Sequence, residues 1–213
     1  MKTLNKQLEE LVAESKSKIP EDIVKVMQAA DLDLAETWID KNIVGVWEKF
    51  PEITLPDATG KQVDINELLK KGPVIISFYR GGWCPYCNLE LRELQKFMPE
   101  FEKYNARLVA ISPETPDNSL DTKQKNKLTF LVLSDKGNVL SRQLKLTFNL
   151  KNEIIDIYNN FGLNVEKFNW DRNFELPLPA TYVIGTDGLV KFAQANTNYT
   201  QRTEPQDIIN ILK

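Results

Sequence analysis

The sequence predicts an α/β fold in which a central mixed sheet is flanked by helices, preceded by a helical N-terminal extension over residues 1–48. Three observations predict it. Strand-like runs at 74–79, 107–112 and 130–133 alternate with helical spacings, which implies parallel neighbours joined by right-handed crossovers. Two further runs at 181–184 and 189–193 flank Gly185-Thr186-Asp187-Gly188, a hairpin signal that adds antiparallel strands. Finally, Cys84 and Cys87 stand between the first of these strands and the helix after it, the setting in which a Cys-x-x-Cys pair becomes redox-active.

The 213 residues, 42% apolar and 27% charged, suit one soluble globular domain with elaborations. Thirty acidic residues nearly balance 27 basic ones without a block of like charge, so neither nucleic acid nor a membrane surface is an expected partner. Residues 1–13 mix lysines and glutamates with leucines, unlike a secretion signal, and no stretch nears the roughly 18 apolar residues of a membrane span. The expected address is the cytoplasm. There a lasting structural disulfide is disfavoured and a cycling one is possible, and the sequon Asn198-Tyr199-Thr200 is coincidental.

The chain has no histidine. That excludes a Cys-His catalytic pair and a His-containing zinc site, and two cysteines cannot build a four-cysteine zinc site within one chain. No metal or cofactor is expected. The thiols must be activated by helix geometry, backbone donors or a nearby base.

Taken in order, Leu4, Leu8, Leu11 and Val12 have the spacing of a first helix. Ser17 or Lys18 precedes a second, with Pro20 in its first turn, Glu21 and Asp22 at its positive end, and Ile23, Val26, Met27 and Ala30 on its apolar face. Both helices are expected to cover the domain surface or meet a dimer partner rather than carry chemistry. Residues 53–55 and 62–65 suggest a hairpin around Pro56-Asp57-Ala58-Thr59-Gly60, followed by a short helix at 67–69. The nearly continuous apolar run 74–79 reads as a central strand buried on both faces, which delivers the cysteines at its C-terminal end.

A helix starts near Pro85. Cys87, Leu91, Leu94, Met98 and Phe101 recur on one face, while Cys84 lies just before the first turn, near unsatisfied N–H groups and the positive end of the dipole, which favours a thiolate. Pro99 is expected to kink this helix. Polar residues through Lys127 form a crossover helix, and Asp135-Lys136-Gly137-Asn138 a turn or helix start. Residues 140–175 read as an insertion over the site or at an interface, with a helix around 153–161 and a loop at 170–173. The terminal helix begins at Thr203, with Gln206 completing a capping box around Pro205.

From about Phe50 to the C-terminus these residues resemble the thioredoxin-fold superfamily, and within it the peroxiredoxin-like AhpC/TSA family. The segments that carry the likeness are residues 50–57, 78–87, 178–184 and Asp187-Gly188. The resemblance implies a thioredoxin-like domain over 49–213, with Pro179 as a cis proline facing the cysteines in the substrate groove. It also implies departures. The family pattern Pro-x-x-x-Thr-x-x-Cys puts Arg80 at the proline, Cys84 at the threonine and Cys87 at the peroxidatic cysteine, and Pro179 stands about where many members have an arginine. Peroxide activation must therefore use other donors. Arg80 and Arg202 are the candidates, weighed against ordinary surface or structural roles, and Trp83, Pro85 and Tyr86 complete the candidate groove.

Thioredoxin and glutaredoxin use the first cysteine as nucleophile, whereas the peroxiredoxin register selects Cys87. The residues favour Cys84, because an exposed thiol ahead of the helix ionises more readily than one heading an apolar stripe. The leading function is a thiol-dependent peroxidase reducing hydrogen peroxide or alkyl hydroperoxides through a Cys84–Cys87 dithiol-disulfide cycle, recycled by thioredoxin, glutaredoxin or glutathione. A thiol-disulfide oxidoreductase, a non-catalytic redox sensor and a homodimeric assembly stay open.

Overall fold

The computed structural model describes residues 2–213. Its central sheet is assembled from β3 (Val74–Phe78), β4 (Arg107–Ser112), β5 (Leu131–Ser134), β8 (Ala180–Ile184) and β9 (Val190–Ala195), in the spatial order β5-β4-β3-β8-β9. β3, β4 and β5 pair in parallel, and β8 and β9 add antiparallel to β3. The sheet is therefore mixed, as the alternation of elements and the terminal hairpin imply. β3 lies at its centre with all five residues buried. Its alternation explains the two-sided core: Val74, Ile76 and Phe78 point into one apolar cluster, Ile75 and Tyr79 into the other, which also contains both cysteines.

The peripheral elements follow local chemistry. β1 (Thr54–Pro56) and β2 (Gln62–Asp64) form the expected hairpin, and Asp64 caps α3 (Ile65–Leu69) by accepting from the Asn66 N–H. α4 (Pro85–Lys96) does not bend through Pro99. It stops before Phe97, and α5 (Met98–Glu102) starts anew with Pro99 in its first turn, where the missing N–H costs no hydrogen bond. α6 (Pro116–Lys125) is the crossover between β4 and β5, and Asn138 in a left-handed conformation precedes α7 (Val139–Gln143).

Within 140–175, β6 (Thr147–Asn149) pairs antiparallel with β7 (Glu175–Pro177), and between them lie α8 (Asn152–Asn160) and α9 (Val165–Asn169). The chain runs extended from β7 into β8 through Leu178 and Pro179. No described peptide bond is cis, so the expected cis Pro179 is corrected: a straight passage between two strands needs no reversal, and trans is the intrinsically favoured isomer.

Two helix starts also differ from expectation. Pro20 is the residue before α2 (Glu21–Glu36), not part of its first turn, and no side chain caps it. The terminal helix α10 (Pro205–Leu212) follows Glu204 with no capping box; the Thr203 hydroxyl instead donates to Gln194 Oε1 at 2.7 Å. Glu204 is used elsewhere. Its carboxylate accepts from the N–H groups of Leu4 and Asn5 (2.9 and 2.8 Å) and from Asn5 Nδ2, holding the start of α1 (Leu4–Lys16) at the positive end of its dipole. Asn5 in turn bonds the backbone of Arg202 in both directions. Leu4 and Leu8 are buried and α1 packs on α4, so the N-terminus is held by packing as well as by its bonds to the C-terminal segment.

Glu204→Ala should lower the unfolding free energy by about 1–2 kcal/mol, the scale of a lost helix cap with charge-assisted hydrogen bonds, measurable by urea denaturation.

Candidate active site

The end of β3 and the start of α4 present the two sulfurs. After Tyr79, whose N–H donates to Ile111 O, the chain turns through Arg80-Gly81-Gly82-Trp83. The glycines are required by close approach: a Cβ on Gly81 would lie 2.3 Å from Trp83 Nε1, and one on Gly82 2.0 Å from Thr122 Oγ1. The Gly82 N–H donates to Glu114 Oε2, and Asn88 Nδ2 to the Gly82 carbonyl, pinning the turn from both sides. Cys84 is the N-cap residue of α4, Pro85 occupies the first helical position, and Cys87 lies on the buried face.

The two thiols are free and form a hydrogen-bonded pair, with Cys87 Sγ donating to Cys84 Sγ at 2.9 Å. The pair is electrically asymmetric. Burial alone would raise the Cys84 thiol, but the Cys87 donation and the guanidinium charges of Arg80 and Arg202 outweigh it and bring Cys84 down to about 6. Cys87 goes the opposite way, raised by burial and by its bond to Cys84. One thiolate and one thiol therefore share the site, with the charge on Cys84.

Both arginines are buried, at 3% exposure for Arg80 and 7% for Arg202, which removes the surface reading. Arg202 Nε donates to Glu90 Oε2 at 2.5 Å, its Nη1 to the carbonyls of Tyr199 and Gln201, and its Nη2 approaches Cys87 Sγ at 3.5 Å. Arg80 has no salt-bridged carboxylate among the described residues. Its guanidinium donates to the Tyr158 hydroxyl at 2.5 Å and lies 4.6 Å from the ring centroid of Tyr199 and 5.0 Å from that of Trp83. Tyr86 packs on Tyr199 in turn, with centroids 5.5 Å apart. Two buried carboxyls, Glu90 and Glu114, are each raised to about 7 chiefly by burial.

Cys84 and Cys87 are only 1% and 0% exposed, so the accessible Cys84 expected from its place before a helix is corrected. The covering elements explain the burial. α1 packs on α4, and α2 and α8 close over Arg80 and Tyr158. Between α2, α8 and β6 lies a cavity of about 250 Å³ lined by Met27, Leu34, Phe148, Ile154 and Leu178, with Arg80, Tyr158, Tyr199 and Pro179 also on its wall. Asp31 from α2 lines the cavity too, raised to about 6 by burial and pulled back by Arg80. The N-terminal helices thus form part of the site's enclosure.

Of the six supporting candidates, Arg202 reaches Cys87 Sγ, Arg80 and Pro179 line the cavity, Trp83 and Tyr86 pack against the apolar cluster that holds both cysteines, and Pro85 starts α4. Sequence reasoning missed Glu90, Glu114, Asp31, Tyr158 and Tyr199. A signal existed for Glu90, a charged residue three positions past Cys87 and therefore on the core-facing side of the helix. The tyrosines lie 74 and 115 residues from Cys84, and no local pattern marks them.

Residues 46–193 match the model of the AhpC/TSA family. The chain belongs to that family. Peroxiredoxin Q of Gentiana triflora is 31% identical over 146 residues, covering 68% of this chain and 57% of the plant protein. A Mycobacterium tuberculosis protein with a peroxiredoxin name is 26% identical over 153 residues, 72% of this chain and 86% of its own. Among solved structures, the peroxidoxin BcpB of M. tuberculosis superposes with a TM-score of 0.63 at 20% identity, covering 79% of this chain and 96% of that one. A Xylella fastidiosa PrxQ mutant gives 0.62 at 14%, covering 79% and 95%. These likenesses show the peroxiredoxin-type thioredoxin fold.

Arg80→Met removes one of the two cations that hold Cys84 ionised, so thiolate absorbance in the far ultraviolet should rise at distinctly higher pH than in the wild type, in which those cations and the Cys87 donation bring Cys84 down to about 6. Because the folded value lies below the ordinary thiol value of 9.0, the stability this thiolate contributes is full above that value. It is lost as pH falls through about 6. Denaturation of the reduced protein across that window should show a smaller gain with rising pH in Arg80→Met.

Proposed function

We propose that this AhpC/TSA-family protein is a thiol-dependent peroxidase whose oxidant-reactive group is the Cys84 thiolate. The observation that supports it most strongly is the asymmetric dithiol, a low-pKa sulfur accepting from a second thiol 2.9 Å away. The Cys84 thiolate attacks one peroxide oxygen, the O–O bond breaks, and the sulfur becomes a sulfenic acid as water or an alcohol departs. Cys87, after losing its proton, attacks that sulfur, forming the Cys84–Cys87 disulfide and expelling water. Arg202 hydrogen-bonds both Glu90 and Cys87, which places this buried carboxyl, raised to about 7 chiefly by burial, to take up that proton.

A thiol reductant then restores the pair. Thioredoxin, glutaredoxin and glutathione are the candidates, and a reducing compartment such as the cytoplasm is where such a cycle is sustained. Arg202, which reaches Cys87 Sγ and bonds Glu90, supplies the cation that the family places before β8. Burial of both sulfurs favours this reading over disulfide exchange on proteins, since a small peroxide needs far less space than a protein disulfide.

Mass spectrometry after brief peroxide exposure with a sulfenic-acid trap checks the assignment. Cys87→Ser should accumulate the adduct on Cys84 in a single turnover, Cys84→Ser should react far more slowly, and the double variant should consume no peroxide. An adduct on Cys87 with unimpaired turnover in Cys84→Ser would reverse the roles, and a wild type no faster than the double variant would end the peroxidase reading.

A further inference from the structure

The peroxide step requires more than a nucleophile. When a thiolate splits an O–O bond the departing oxygen leaves as hydroxide or alkoxide, both strongly basic, and a proton delivered in the transition state speeds the step by about 10²–10⁴-fold. Cys84 and Cys87 cannot supply it, the first being the nucleophile and the second already donating to it. A donor tethered to Arg80, one of the two cations that act on Cys84, is placed to supply it.

Tyr158 has the required connections. Its oxygen accepts from Arg80 Nη2, and the hydroxyl makes no second hydrogen bond among the described residues, so its own proton is uncommitted. Tyr158 lines the cavity of about 250 Å³, whose wall includes the apolar side chains of Phe148, Ile154, Leu178, Met27 and Leu34. Arg80, the cation on which it rests, has no carboxylate salt bridge among the described residues and interacts electrostatically with both Cys84 and Tyr158. The other tyrosine on the wall is differently placed: Tyr199 meets the guanidinium through its ring face, 4.6 Å from the centroid, and its hydroxyl has no hydrogen bond to it.

We propose that Tyr158 is the general acid of the peroxide step, with Arg80 stabilising the phenolate it leaves behind. The inference rests on the peroxidase reading above. The Cys84 sulfur pair forms the new S–O bond to the distal peroxide oxygen as the O–O bond breaks. The electrons of that bond go to the proximal oxygen, which takes the Tyr158 proton and departs as water or alcohol. Sulfur is oxidised by two electrons, the peroxide is reduced by two, and the phenolate beside Arg80 regains its proton from solvent.

The leaving group provides the test. Acetate, released from peracetic acid, needs no proton, whereas hydroxide and tert-butoxide do. In Tyr158→Phe the rate constants for Cys84 oxidation by hydrogen peroxide and tert-butyl hydroperoxide should fall about 10²-fold, while oxidation by peracetic acid and alkylation by iodoacetamide should change by no more than a few-fold. A fluorotyrosine at position 158, with the ring retained and a more acidic hydroxyl, should recover most of the hydrogen peroxide rate. Equal losses with all oxidants, or an unimpaired hydrogen peroxide rate in Tyr158→Phe, would overturn the acid role while leaving the peroxidase intact. A wild type inert toward every peroxide would overturn the peroxidase reading itself.

Discussion

Two guanidinium groups are buried beside two sulfurs, and the arrangement holds together because one sulfur is an anion. A buried cation without a counter-charge is among the most expensive features a folded chain can contain. Arg202 has Glu90 for this purpose; Arg80 has aromatic ring faces, a phenol oxygen, the Cys84 thiolate and the Asp31 carboxyl on the same cavity wall. Stability and reactivity are therefore the same interaction seen from two sides: the arginines keep Cys84 ionised, and the ionised sulfur makes Arg80 tolerable inside. Oxidation of the pair to a disulfide removes that anion, so the two redox forms differ in the charge balance of the core.

The enclosure around this charge is built from distant parts of the chain. β3 and α4 supply the turn, the loop after β9 supplies Tyr199 and Arg202, the 140–175 segment supplies Tyr158, and α2 closes the cavity over them. Glu204 ties α1 to the residues next to Arg202, so the placement of the N-terminal helices and of an active-site cation share one set of hydrogen bonds. The result is a low-dielectric site in which hydrogen bonds and charges act more strongly than at a surface.

Against the family pattern that the sequence resembles, the chain departs at three positions, Arg80, Cys84 and Pro179. The structure shows how the geometry can survive those departures. A thiol at position 84 preserves a polar group at the helix start, now one that can itself ionise, and a trans Pro179 on the cavity wall leaves the cation to Arg202, which arrives from beyond β9.

The sequence by itself determined the layered α/β architecture, because burial on both faces of a central strand and the 3.6-residue helical period are written into local residue order. It also located the dithiol, since a strand leading into a proline-started helix positions both cysteines whatever surrounds them. It did not determine their exposure, the isomer at Pro179, the role of Glu204 or the cluster around Arg80. Each of these depends on which distant groups arrive: the start of a helix is open or covered according to what packs on it, and an arginine is a surface or a buried charge according to whether an anion meets it. Tyr158 and Tyr199 come to Arg80, and Arg202 to Cys87, from far along the chain, brought there by the tertiary fold alone.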